Sequence, residues 1–205
     1  MARVYVDLDD VLSQTIRGLI ALLEREHGRR VHEEDIRDFD LGRSFRLAPA
    51  ELDAFMCSAH RPEELGALEP SPGAAAALER WTAHGHEVFV MTGRPPASEA
   101  TSRRWLEAHG MSHAHLASVD KYGRGDQDRS TVVPLTLDAL ERFDFSLAVE
   151  DSLDMAIHLA ESCRVPVALI DRPWNRDLAG LSERSLGLIV RCSSWEELLR
   201  RFPEP

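Results

Sequence analysis

Short, β-rich apolar runs at residues 3–6, 87–91, 145–149 and 166–170 alternate with stretches of helical character, and that alternation leaves few folds open to the chain. Val4-Tyr5-Val6, Val88-Phe89-Val90-Met91, Leu147-Ala148-Val149 and Val167-Ala168-Leu169-Ile170 are almost unbroken in apolar residues. Strands of that kind are buried on both faces, as in a parallel sheet covered by helices. Between them, residues 11–28, 74–84, 98–109, 135–143, 153–163 and 194–201 carry apolar side chains at helical spacing. In the first, Ile16, Leu19, Ile20, Leu22 and Leu23 form the stripe and Gly28 ends it. Weaker strands are expected at 115–119 and 188–190. Crossovers of this length predict an α/β fold, a three-layer Rossmann-like parallel sheet. From 14 to 70 no strand reads, whereas 31–36 and 50–58 read as a capped turn and a helix. That stretch is expected to be a small all-helical cap inserted after the first strand, before Pro70-Ser71-Pro72-Gly73 punctuates the return. The expected division is therefore 1–13 and 71–205 for the core and 14–70 for the cap.

Ligands of such sheets bind outside the carboxyl ends of the strands, so the residues that end each run are the candidates for chemistry. The first run ends in Asp7-Leu8-Asp9-Asp10. Two carboxylates two residues apart on a strand share a face and repel, unless a cation or a shared proton lies between them. An oxygen-rich set of this kind suits Mg²⁺. One carboxylate can attack phosphorus while a second protonates the leaving oxygen and then activates water, and Asp7 and Asp9 fit that division of labour. Asp10 is read as the start of the following helix, favouring its positive end. The second run ends in Thr92-Gly93-Arg94, where a hydroxyl, backbone N–H groups and a guanidinium can donate to a phosphoryl group. Glu150 and Asp151 end a third run; of this adjacent pair, one is expected to meet the metal directly and the other through water or a hydrogen bond. Lys121 is the only lysine beside twenty-three arginines. A compact ammonium serves where a point charge must enter a tight anionic site, and its expected task is to hold the nucleophilic carboxylate and the phosphoryl oxygens.

These motifs resemble those of the haloacid dehalogenase-like superfamily of phosphohydrolases. By that resemblance Asp7 is the nucleophile, Asp9 the general acid/base, and Thr92, Lys121 and Glu150-Asp151 the second, third and fourth motifs. The metal site it implies draws on Asp7, Asp9 (also through its main-chain carbonyl), Glu150 and Asp151. Within the superfamily the chain is most similar to the 5′(3′)-deoxyribonucleotidase group, also described as cytosolic type C 5′-nucleotidases. The helical cap, Thr92-Gly93-Arg94-Pro95 and the late Leu169-Ile170-Asp171-Arg172-Pro173-Trp174-Asn175 segment carry that likeness. The chain departs from the family in one respect. Lys121 lies far ahead of Glu150, with a polar segment at 123–130 between them, so Lys121 swings in from an earlier position, Arg129 substitutes for it or activity is weakened, and the first is favoured because no other lysine exists. In the cap, Phe39, Phe45, Arg46 and Leu47 are candidates to meet a base or sugar, Phe45 foremost, since aromatic faces stack on bases.

The resemblance implies a Mg²⁺-dependent phosphoric monoester hydrolase working through an aspartyl-phosphate, with a nucleoside monophosphate as the leading substrate class. The alternative is a phosphatase or phosphomutase for a sugar phosphate or another small metabolite. A weakly active phosphate-binding protein is the reading from a different class. A net charge of −11 argues against a polymeric nucleic-acid partner. Cys57, Cys163 and Cys192 show neither a disulfide framework nor a metal pattern, which predicts a reducing, cytoplasmic setting. No apolar run approaches a membrane span, and a monomer or homodimer is expected.

Overall fold

The computed structural model describes residues 1–121, 123 and 133–205. Arg129 therefore lies outside the described residues. Six strands, β1 (Arg3–Asp7), β2 (Glu87–Thr92), β3 (His115–Ser118), β4 (Leu147–Glu150), β5 (Val167–Ile170) and β6 (Ile189–Cys192), form one sheet. Their order is β3-β2-β1-β4-β5-β6, and every neighbouring pair is parallel. Successive strands step outward from β1 on one side, and β4 then starts the other side. The reversal puts the topological switch point between the carboxyl ends of β1 and β4, where a crevice opens.

Strand residues alternate between the two faces. Val4 and Val6 pack on one side with α5 (Ala74–Ala83), α6 (Glu99–Ala108) and α10 (Trp195–Arg201), whose Trp81, Trp105 and Trp195 fill that layer. Tyr5 and Ala148 face the other layer, made by α7 (Leu137–Leu140), α8 (Leu153–Glu161) and α9 (Glu183–Leu188). Between β1 and α5 lies the all-helical insertion: α1 (Thr15–His27), α2 (Leu41–Phe45), α3 (Pro49–Ala59) and α4 (Pro62–Gly66). It has its own small core of Ile16, Leu22, Leu23, Phe45 and Phe55, separate from the two sheet layers. Its two connections to the sheet domain run side by side, bridged at Ser13 and Pro70 and bonded from Ser71 N–H to the Leu12 carbonyl at 2.7 Å.

Two of the expected helices differ from the sequence expectation. The helix expected over 11–28 begins only at Thr15. Asp10 sits at φ 55, and the N–H groups of Leu12 and Ser13 both bond to the Leu8 carbonyl. The chain thus makes a tight turn at the end of β1 before any helix can start. Asp10 tolerates this left-handed conformation better than most residues. At its other end α1 stops where expected, on Gly28 at φ 63. The helix expected over 135–143 is a single turn, α7, followed by a 3₁₀ turn over Glu141–Phe143. Among the described residues no helix is long and apolar enough to cross a membrane.

Candidate active site

Backbone pairing of Val6 with Val149 sets the ends of β1 and β4 side by side at the switch point. Asp7, Glu150 and Asp151 are all buried there, and each offers a carboxylate oxygen within 4.8 Å of the others. Lys121 reaches them from just beyond β3. Its Nζ donates to Asp7 Oδ1 at 2.7 Å and to Glu150 Oε1 at 2.6 Å, with only 5% of the side chain exposed. The sequence distance from Lys121 to Glu150 is absorbed because Val119 and Leu135 bridge, closing the base of the intervening segment. The lysine therefore arrives from the end of a strand, and the helix ahead of β4 contributes none.

Three buried carboxylates facing one ammonium leave two negative charges uncompensated, and the acids respond. Burial, then the Glu150 charge, pushes the Asp7 carboxyl well above the usual range, with Lys121 pulling the other way. Asp151 is likewise raised, by burial and then by Glu150 and Asp10. One divalent ion would balance that charge, and an all-oxygen donor set of this size suits Mg²⁺ over softer metals. The residues present thus fit a magnesium ion, with Asp7 and Asp151 facing the shared space.

Asp9, expected among the metal ligands, is held elsewhere by its side chain. Arg94 Nη2 donates to its Oδ1 at 2.7 Å and Nε at 3.0 Å, Thr15 Oγ1 donates to the same oxygen at 2.7 Å, and Thr92 Oγ1 lies 3.3 Å from Oδ2. Burial pushes the Asp9 carboxyl up, but the Arg94 charge and the hydrogen bonds from Arg94 and Thr15 outweigh it and hold the group below its ordinary range. Arg94 is equally committed: its side chain is 3% exposed and its Nη1 donates to Ser102 at 3.1 Å. The guanidinium expected to reach a phosphate is bonded to Asp9 and Ser102 and also borders the chamber. Asp10 does serve α1, through Ile16 N–H at 2.9 Å, but from within the turn. Burial pushes its pKa up to about 7, against the opposing Ile16 bond and Arg172 charge.

Beyond the carboxylates a chamber of about 270 Å³ opens toward the cap, bounded at the sheet end by Asp9, Gly93 and Arg94. Its far walls are mostly apolar, with Ile36, Phe39, Leu41, Leu52, Met56 and Trp174 among them, beside Asp38, Asp40 and His60. Phe45 is not one of them. Expected to meet a base, it is fully buried in the cap core and packs edge-on against Phe55 at 5.6 Å. Phe39 is exposed instead, at 47%, and meets Trp174 edge-on at 6.0 Å. Trp174 also donates its indole N–H to Asp151 Oδ2 at 2.9 Å, and Asn175 Nδ2 donates to the Asp151 carbonyl at 2.7 Å. The late segment after β5 is thus the support of Asp151. The residue sequence reasoning passed over is Tyr5, whose hydroxyl donates to Glu150 Oε1 at 2.8 Å. A phenol among valines in a fully buried strand was the available signal, because such a hydroxyl must find a partner.

Residues 1–122 match the model of the family described as 5′ nucleotidase, deoxy (Pyrimidine), cytosolic type C protein, which is more than half of the chain. The chain belongs to that family. A candidate nucleotidase from Halalkalibacterium halodurans is 24% identical over 94% of this chain and 88% of its own length. Among solved structures, a predicted phosphatase from Clostridium acetobutylicum superposes with a TM-score of 0.65 at 14% identity, covering 100% of this chain and 99% of that one. CbbY from Rhodobacter sphaeroides, solved with xylulose-(1,5)bisphosphate, gives 0.60 at 15% identity, covering 97% and 96%. The fold is that of the haloacid dehalogenase-like hydrolases, the protein is a hydrolase, and its Asp7, Glu150 and Asp151 cluster is consistent with a divalent-metal site.

Proposed function

We propose that the protein is a phosphomonoesterase for a small phosphorylated metabolite, with Asp7 as the nucleophile and Asp9 as the general acid/base. The observation that carries this reading is the ion-paired Asp7, set beside Asp151 in a cavity that shares Asp9, Asp10 and Phe39 with the chamber under the cap. The Asp7 carboxylate attacks phosphorus, and the ester P–O bond breaks as its oxygen takes a proton from Asp9. Asp9, now ionised, takes a proton from water, whose oxygen attacks phosphorus and frees Asp7 and inorganic phosphate. Asp7 and Asp151 would hold a magnesium ion, whose charge would offset the build-up on the phosphoryl oxygens. Lys121 holds Asp7 in line, and the Thr92 and Gly93 end of β2 supports donors for the transferring group. Arg94 keeps Asp9 as the carboxylate that the water step needs, and the first step needs that contact to loosen.

The comparisons favour the broad class, a phosphatase or phosphomutase acting on a sugar phosphate or another small metabolite, over a nucleotidase as such; CbbY is solved with a sugar bisphosphate. A specific observation favours the nucleoside monophosphate within that class. Beside Asp38, Asp40 and His60, the chamber walls offer Phe39, Trp174 and aliphatic side chains, and this apolar, aromatic stretch suits a planar base. A screen of phosphate release across deoxynucleotides, ribonucleotides and sugar phosphates, with and without Mg²⁺, tests both. Magnesium-dependent release from at least one class is expected, strongest for nucleoside monophosphates. Release from sugar phosphates alone would overturn the nucleotide reading, and no release from any would overturn the phosphatase.

A further inference from the structure

Glu150 belongs to the acidic cluster, yet its own hydrogen bonds are fully subscribed. Its Oε1 accepts from Tyr5 Oη at 2.8 Å and from Lys121 Nζ at 2.6 Å. Its Oε2 accepts from the backbone N–H groups of Asp151 and Ser152, each at 3.1 Å. An ionised carboxylate has about four lone-pair sites, and here the protein fills four with none of the side chain exposed. By contrast, the Asp7 and Asp151 carboxylates each accept fewer such bonds and line the cavity that also holds Lys121. Tyr5 makes a second contact with the same assembly, since the Lys121 ammonium lies 5.6 Å from the centre of its ring, within the range of a cation–π contact. The phenol thus touches both members of the Lys121–Glu150 pair from the middle of β1, a position fixed by strand pairing on both sides.

We propose that Tyr5 is a positioning residue for phosphoryl transfer, and that Glu150 is the anchor of Lys121 and not a ligand of the metal. Tyr5 and the two backbone N–H groups lock the Glu150 carboxylate, Glu150 locks one hydrogen of the Lys121 ammonium, and the lysine is thereby aimed at the Asp7 carboxylate. The metal is left to Asp7 and Asp151. The inference rests on the reading of Asp7 as nucleophile for its catalytic consequence, while its two structural parts can be read without turnover.

Because Lys121 is the only lysine, lysine labelled with nitrogen-15 gives a single side-chain ammonium signal in the full-length protein. In the parent that signal is expected to be visible and slow to exchange, as for a buried, ion-paired ammonium. In Tyr5→Phe, which keeps the ring and removes only the hydroxyl, it is expected to broaden or exchange away. Turnover of p-nitrophenyl phosphate with Mg²⁺ should fall about tenfold in kcat, the size expected of one misaligned donor, with KM within about twofold and the melting temperature close to the parent. Calorimetric titration with Mn²⁺ adds the second part: Glu150→Gln and Tyr5→Phe should keep the parent affinity within about threefold, and Asp151→Asn should lose at least about thirtyfold, the scale of a lost ligand. An unchanged ammonium signal in Tyr5→Phe would overturn the role of Tyr5, as would an unchanged kcat in an active parent. A Mn²⁺ loss in Tyr5→Phe or Glu150→Gln matching that of Asp151→Asn would overturn the assignment of Glu150. An inert parent would instead strike at the proposed phosphatase, and the signal and the Mn²⁺ titration would still decide this inference.

Discussion

The floor of the acidic site and the walls of the chamber beside it are built on opposite principles. At the floor, Asp7, Lys121, Glu150 and Asp151 are charged, buried and bonded to one another. Around the chamber, Ile36, Phe39, Leu41 and Met56 have nothing to bond and rely on shape alone. Asp7 and Glu150 stand on the ends of strands whose register is fixed by neighbours on both sides, and the cap beside the walls has a small core of its own. Buried charges tolerate almost no change, because a lost partner leaves an uncompensated charge at a cost of about 3–5 kcal/mol. Apolar walls can be reshaped at about 1–3 kcal/mol per group. Reaction chemistry is thereby fixed in the part that cannot vary, and substrate choice is placed in the part that can.

The sharpest break is at the floor. Asp7→Asn is expected to lower turnover of an aryl phosphate at least about ten-thousandfold, the scale of losing a nucleophile, and phosphate-release kinetics check it. Next, two phenylalanines separate the cap core from the chamber wall. Phe45→Ala should destabilise the fold by about 3–5 kcal/mol through the cavity it leaves, read by denaturant unfolding, with kcat close to the parent. Phe39→Ala should cost under about 1 kcal/mol of stability but raise KM for a nucleoside monophosphate about tenfold, leaving a sugar phosphate nearly untouched. The opposite pattern would exchange the two roles. Between floor and wall stands Arg94. Arg94→Ala should lower kcat about a hundredfold, the scale of general acid–base assistance, with KM little changed; a KM rise as large as the kcat loss would make it a phosphate ligand instead.

A further expected effect is on stability against pH. Asp10 is raised to about 7, and Asp7 and Asp151 are raised in the same direction. A group raised in the folded state contributes stability that is fully present below its unfolded value and is lost as pH rises through its folded value. The metal-free protein should therefore be less stable at pH 8 than at pH 5, by on the order of 3 kcal/mol. Magnesium should narrow that gap by neutralising the Asp7–Asp151 pair, so its thermal shift is larger at pH 8. Thermal melts at the two pH values, with and without Mg²⁺, check the sign.

What the sequence made legible was the floor. Strand-end acids after unbroken apolar runs read directly as residues at the carboxyl edge of a parallel sheet, and that edge holds Asp7, Glu150 and Asp151. Lys121 stood out because no other lysine exists, although its sequence distance from Glu150 said nothing of how near the fold brings them. Side-chain partnerships were less legible. Arg94 looked like a phosphate donor because nothing in a sequence shows that Asp9 and Ser102 already take its hydrogens. Phe39 and Phe45 are alike on paper, and only the packing of α2 against α3 decides that Phe45 is core and Phe39 is wall. The short α2, α4 and α9 also escaped pattern reading, since five or six residues hold too few turns for a period to show.

The most direct measurement is chemical trapping of the covalent intermediate. The protein is mixed with substrate and Mg²⁺, quenched during turnover and treated with borohydride, which reduces an aspartyl-phosphate to homoserine. Peptide mass spectrometry should find homoserine at position 7 and nowhere else, and none when Mg²⁺ is omitted. Rapid magnesium-dependent turnover with Asp7 left intact, or with the modification at Asp9 or Asp151, would contradict the proposed nucleophile.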